Sequence, residues 1–406
     1  MPRFEPFQGI RYDPAGVDLA DVTAPPYDVI DPAARAALAA RNVHNVVHID
    51  CPTPARRGDE GGGRPDDHYD QAAHRFHAWQ RDGVLIRDPQ PSLYGYRMTF
   101  TDDHWRDRHT TGVIGAVGLE PPGAGDVLPH ERTTRKDRSD RLRLLEVTQA
   151  NLSAVWLLSL ANGLTKLLDG AGYGLASWTD DRGVAHSLWR LGDPAAIDAI
   201  CSSVGSAPLV IADGHHRYET CLAYQSERRA ADGGAPGAYD LTLGFVVELV
   251  EDEIDIEPIH RLVSGLPDEL DLIAWLARFF DVGTAEPAEP SILDRMDDED
   301  ALAMVVRDGA RLLRPRSEAL VDATNLDSSR VDVALAALPP HELVFQPGVA
   351  PVLTAVAEGR AQAGLLVRPP TINQIADVAH ARRRMPPKTT FFWPKPRTGL
   401  VFRSLT

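Results

Sequence analysis

The strongest constraint on this chain lies in residues 209–221, Leu-Val-Ile-Ala-Asp-Gly-His-His-Arg-Tyr-Glu-Thr-Cys. An apolar run stops at Asp213-Gly214, and a polar cluster of His215, His216 and Arg217 follows at once. An amphipathic segment then carries Tyr218, Cys221, Leu222 and Tyr224. That order reads as strand, tight turn and helix start. Gly214 permits the turn and a close backbone approach. A helix start presents free backbone N–H groups and the positive end of the dipole, and Arg217 adds a planar fork of donors. Such a site suits an anion, most often phosphate. Asp213, at the strand end, can hold Mg²⁺ or accept a proton from a hydroxyl nucleophile.

Two further polar stretches share this character. The first is Pro129-His130-Glu131-Arg132-Thr133-Thr134-Arg135-Lys136-Asp137-Arg138, which has too little apolar content for a core element. Its mixture of a carboxylate, an imidazole, hydroxyls and cations is what phosphoryl transfer needs, with Glu131 as base or metal ligand. His130, Arg132, Thr133 and Lys136 are its candidate phosphate contacts. The second runs from Met385 to Gly399, where prolines rule out a helix and Lys388 stands beside two hydroxyl residues and an aromatic run. Weaker candidates are Tyr27 and Asp28 in the Pro-Pro-Tyr-Asp loop and the His260-Arg261 pair. Each has an ordinary alternative: a cap, a solvated charged loop, or an edge segment that snorkels its cations.

The charge pattern supports a localised anionic ligand. The net charge of −16 weighs against bulk nucleic acid and anionic membranes as partners. Against that background, residues 130–143 hold six Arg/Lys and three acids, and no acid follows Asp377, whereas seven Arg/Lys do. The glycine-rich nucleotide loops, paired-cysteine motifs and the zinc-protease motif are missing. A zinc hydrolase built on His130, His215 and His216 is disfavoured, because adjacent helical side chains diverge by about 100°.

A chain of 406 residues that is 43% hydrophobic is long enough for two domains. Short alternating elements predict a mixed α/β (α+β) fold rather than a clean doubly wound sheet. Expected strands include 93–100, 112–119, 154–160, 208–212, 241–250 and 254–259; expected helices include 68–82, 139–150 and 194–203. Residues 57–67 read as a flexible loop and 284–300 as a linker. The expected division is a main domain over 1–283 and a second α/β region over 284–406, ending in a basic tail that packs back on the main domain. Three cysteines match no metal or disulfide framework, and no apolar run spans a bilayer, so a cytoplasmic protein without membrane attachment is expected.

Taken together, Pro25-Pro26-Tyr27-Asp28-Val29-Ile30, Pro129-His130-Glu131-x-Thr133, Asp140-Arg141-Leu142, Asn151-Leu152-Ser153, Ile211 to Tyr218, His260-Arg261, Met385-Pro-Pro-Lys388-Thr-Thr and Pro394-Lys395 resemble domain-of-unknown-function family 1015 over nearly the whole chain. The Asp-Gly-His-His-Arg turn is also similar to the phosphate-binding motif of the ParB/sulfiredoxin-like superfamily, which includes nucleotide hydrolases and free serine kinases. That resemblance implies a ParB/sulfiredoxin-like core with an additional α/β region. It implies a nucleotide- and Mg-dependent phosphotransferase acting on a small hydroxyl metabolite such as free L-serine. Glu131, Asp213 and His216 would be catalytic, with Gly214, His215 and Arg217 around the phosphates. ATP or another nucleotide, with Mg²⁺, is the expected cofactor, a small molecule the expected partner, and a homodimer is admitted. The alternative is a ParB-like regulatory switch that binds or hydrolyses a nucleotide.

Overall fold

A computed structural model describes residues 1–54, 67–102, 105–129 and 138–406. The fold is mixed α/β and divides into two compact units. The first contains the described residues from Met1 to Ile254 and the segment Pro394–Thr406; the second is Asp255–Trp393. The composition change at 283/284 therefore falls inside the second unit, and the chain returns to the first unit for its last residues.

The first unit is built on a nine-stranded sheet. Its order is Val127–Pro129, Leu209–Asp213, Val155–Ser159, Leu241–Glu248, Asp107–Gly118, Leu93–Thr101, Ala185–Leu191 and Tyr173–Thr179, with Phe4–Glu5 pairing separately onto Asp107–Gly118. The sheet is mixed: Leu209–Asp213 runs parallel to Val127–Pro129 and antiparallel to Val155–Ser159. Leu209, Val210, Ile211 and Ala212 are all buried, as expected of a strand covered on both faces. The register against Val155–Ser159 slips between Ile211 and Asp213. This bulge re-aims Asp213 at the point where the strand ends. The long hairpin of Leu93–Thr101 and Asp107–Gly118 needs Gly95, because a Cβ there would lie 1.9 Å from the Trp189 ring.

Helix His215–Ala231 follows the strand and packs beside helix Arg138–Thr148, with Tyr218, Cys221 and Tyr224 in one core with Leu145, Ile211 and Val246. A second, four-stranded sheet has the order Leu85–Arg87, Gly9–Tyr12, Phe402–Ser404, Ala150–Asn151. Its third strand comes from the C-terminal segment.

The second unit is a six-stranded antiparallel sheet ordered Phe280–Val282, Gly309–Pro315, Leu302–Val306, Ala363–Leu366, Ile259–Ser264, Glu342–Pro347. The expected single strand 254–259 is instead two strands, Asp255–Glu257 and Ile259–Ser264, interrupted at Pro258, which lacks an N–H. The expected linker 284–300 holds a helix, Ile292–Asp298, anchored by buried Ile292 and Met296. Its surrounding acids and prolines hide this i,i+4 apolar pair. The expected loop 57–67 lies, up to residue 66, outside the described residues. No described helix is long and apolar enough to cross a membrane.

Candidate functional site

The turn after strand Leu209–Asp213 is the organising feature of the site. Gly214 is the N-cap of the following helix and adopts φ = 92°, the left-handed region that favours glycine. A Cβ there would lie 2.8 Å from Arg217 Nε. Gly214→Ala is therefore expected to cost about 1–3 kcal/mol in backbone strain and to push the guanidinium out of place. Urea unfolding measures the first effect. Phosphate-probe binding measures the second, expected to weaken by at least about tenfold.

Arg217 folds back over the turn. Its Nη2 donates to Asp213 Oδ2 at 2.6 Å, and its Nη1 donates to the Ala154 carbonyl. Lys395 Nζ donates to the other Asp213 oxygen, Oδ1. Burial alone would raise the Asp213 carboxyl, but Lys395 and then Arg217 hold it down to about 2. Asp213 is thus an anion at any physiological pH, with one carboxylate between two cations.

Arg141 is the second buried guanidinium of the site. Its Nη1 donates to the Asp50 carbonyl at 2.7 Å and faces Asp50 Oδ1 at 3.4 Å, its Nε donates to Asp140 Oδ2 at 2.9 Å, and it lies 4.2 Å over the Tyr27 ring. Burial pushes the Tyr27 phenol up to about 12 against the pull of Arg217 and Arg141. Burial likewise raises the Asp50 carboxyl, outweighing Arg141 and Arg217. A cavity of about 50 Å³ is lined by Asp50, Arg141, Asn151, Ser153, Arg217 and Thr220 among others. At roughly 10–15 Å³ per water it has room for a few waters or one compact oxyanion.

The structure therefore brings Tyr27, Asp213, Gly214, His215, His216 and Arg217 into one neighbourhood, and the charge of exposed Asp28 is felt at Arg217. Among the described residues, His216 Nε2 is buried without a hydrogen-bond partner. Lys388 is exposed and belongs to the second unit. So do His260 and Arg261, which are fully buried on strand Ile259–Ser264. Burial and Arg261 lower His260 to about 4, and Arg261 stacks 4.7 Å from the Phe345 ring, as core residues do. His130, Glu131, Arg132, Thr133 and Lys136 lie outside the described residues.

Three site residues escape a reading that searches for polar clusters. Asp50 sits in the unremarkable Val-His-Ile-Asp helix, Arg141 inside a charged helix, and Lys395 in the tail segment where Lys388 drew attention. The motifs Asp140-Arg141-Leu142 and Pro394-Lys395 were the signals that could have found the last two.

Asp213 as placed does not fit Mg²⁺. Both its oxygens accept from cations, and among the described residues no group of three or more His, Cys, Asp or Glu side chains could hold a metal.

A family model described as "Protein of unknown function (DUF1015)" matches residues 4–334. No curated protein matches the chain. Solved structures similar to it include a conserved hypothetical protein from Pyrococcus furiosus, 11% identical with a TM-score of 0.37, covering 68% of this chain and 90% of that one. A free serine kinase in complex with AMP is 12% identical with a TM-score of 0.36, covering 68% and 88%. SbnI with a C-terminal truncation, from Staphylococcus aureus, is 13% identical with a TM-score of 0.39, covering 71% and 86%.

Proposed function

The chain belongs to the DUF1015 family, and we propose that it is a nucleotide-dependent phosphotransferase acting on a small hydroxyl metabolite, with free L-serine the first acceptor to test. One observation carries the reading. A left-handed glycine opens a long helix whose first turn carries Arg217, locked by Asp213 and lining a small polar cavity with Arg141. Phosphoryl transfer asks the protein chiefly to position its substrates and to neutralise charge on the moving group. Two buried guanidiniums, an ammonium and a helix N-terminus supply that neutralisation. The role of base goes to Glu131, whose carboxylate would take the acceptor's hydroxyl proton while the oxygen attacks the terminal phosphorus.

Purified protein given ATP or ADP, with Mg²⁺ in the buffer, and a panel of amino and hydroxy acids should yield a phosphorylated product, read by mass spectrometry. Glu131→Gln should keep nucleotide binding and lose about 10²–10⁴ in turnover. No product and no nucleotide consumption across the panel overturns the catalytic reading.

A second reading, a nucleotide-binding switch with little catalysis, is favoured by the state of Asp213. A carboxylate held at about 2 between two cations grips well but accepts protons poorly at neutral pH. Without a contribution from Glu131, the turn binds and does not transfer. A thermal shift with nucleotide and no turnover supports this reading.

A further inference from the structure

We infer that Lys395 is a phosphate-contacting residue of the grip, standing where a metal ion would otherwise sit on Asp213. The inference rests on the phosphate-binding reading above and adds a residue and a metal requirement to it.

Lys395 is not a solvated surface lysine. Its side chain is 13% exposed and its partner Asp213 is 12% exposed. Pro394 and Pro396 bracket it, which fixes φ on both sides and keeps Lys395 itself extended. Immediately downstream, Ala24 and Thr398 exchange backbone hydrogen bonds of 3.1 and 2.8 Å, beside the Pro25-Pro26-Tyr27 loop. Arg397 Nη2 donates to the Thr23 carbonyl at 3.0 Å, and its Nη1 faces Asp180 at 3.5 Å. The ammonium is therefore delivered to the turn on a rigid mount, and little entropy remains to be lost when it engages a ligand.

The charge arithmetic points the same way. Arg217 and Lys395 face the single carboxylate of Asp213, so the cluster keeps one positive charge at the start of a 17-residue helix. A buried ammonium that served stability alone would be replaced by an apolar side chain at little cost. An ammonium carries three donors and can hold Asp213 and an oxyanion together. With Lys395 on Oδ1 and Arg217 on Oδ2, the positive charge next to the phosphate comes from side chains, and Asp213 offers no oxygen to a divalent ion.

The test is calorimetric binding of ADP, with pyrophosphate as a second probe, to wild type, Lys395→Ala, Lys395→Arg and Arg217→Ala, each in EDTA and in Mg²⁺. Thermal unfolding checks that each variant folds. Wild type is expected to bind in EDTA within about threefold of its Mg²⁺ affinity, a difference below 1 kcal/mol. Lys395→Ala is expected to lose at least about 30-fold in EDTA, and Lys395→Arg to regain most of it. Mg²⁺ should partly rescue Lys395→Ala, because Asp213 Oδ1 is then open, and should not rescue Arg217→Ala. A merely structural lysine would show no such metal rescue. Wild-type binding that requires Mg²⁺, or equal binding by wild type and Lys395→Ala in EDTA, overturns this inference and leaves the phosphate grip standing. Wild type that binds neither probe in either buffer overturns the grip and this inference with it.

Discussion

Arg217→Ala is expected to abolish phosphate binding and to destabilise the first unit at the same time. The side chain is buried, and among the described residues its hydrogen-bond partners are Asp213 and the Ala154 carbonyl. Because a guanidinium has five donors, others remain for a ligand in the cavity it lines. Losing two charge-assisted hydrogen bonds of about 1.5 kcal/mol each gives roughly a 100-fold weaker ADP complex. Breaking one side of a buried ion pair costs about 3–5 kcal/mol, and the low end applies because Lys395 still faces Asp213. Arg217→Lys keeps the charge without the fork and should fall between the two.

The pH dependence follows from the same geometry. The Asp213 carboxyl in the folded state lies at about 2, below its unfolded value, so its contribution to stability is fully present above about pH 4. That contribution, about 2–3 kcal/mol, is lost as pH falls from there through 2. In Arg217→Ala one of the two cations is gone, the carboxyl titrates higher, and the acid limb of the stability profile should move upward. Urea titrations between pH 2 and 7 read this. An unchanged acid limb together with unchanged ADP affinity would remove Arg217 from the site.

Phe402→Ala is the second change with a large expected effect. Phe402 is fully buried, its ring centroid 6.0 Å from Tyr12 and 5.5 Å from Phe76, both in edge contact. Its strand is central in the four-stranded sheet, between Gly9–Tyr12 and Ala150–Asn151. Deleting a buried phenyl ring costs about 3–5 kcal/mol in transfer energy and cavity. The same segment carries Lys395 to Asp213, so ADP affinity should fall together with stability. Phe402→Leu, which keeps most of the volume, should cost clearly less and spare binding. A loss below about 1 kcal/mol for the alanine variant would mean that the C-terminal segment is not an integral strand of the first unit.

How much of this was legible beforehand depends on the range of the interactions involved. Strand Leu209–Asp213 and its helix were readable because every cue is local: four consecutive apolar residues, a glycine where the chain turns, and helix-compatible residues after it. The helices beginning at Asp67 and Pro194 were readable for the same reason, by the spacing of Ala72, Phe76 and Trp79 in one and the proline at the start of the other. Helix Ile292–Asp298 was not, because its two buried anchors are outnumbered by acids that face solvent. The His260-Arg261 pair shows the opposite error. Two polar residues at a strand start suggest a site, yet their burial in the second unit makes them core, which no local pattern reveals.

By itself, the sequence determined the turn: glycine where φ must be positive, an arginine one helical turn beyond the aspartate, and apolar residues that force the strand inside. Short-range sterics and hydrophobic patterning suffice for that. Only the tertiary structure decided what surrounds the turn. Lys395 is separated from Asp213 by 182 positions, and Arg141 from Asp50 by 91. Such pairs are set by which strands and helices share a core, so the ion pairing that leaves Asp213 without a free oxygen for a metal became visible only when the distant segments were brought together.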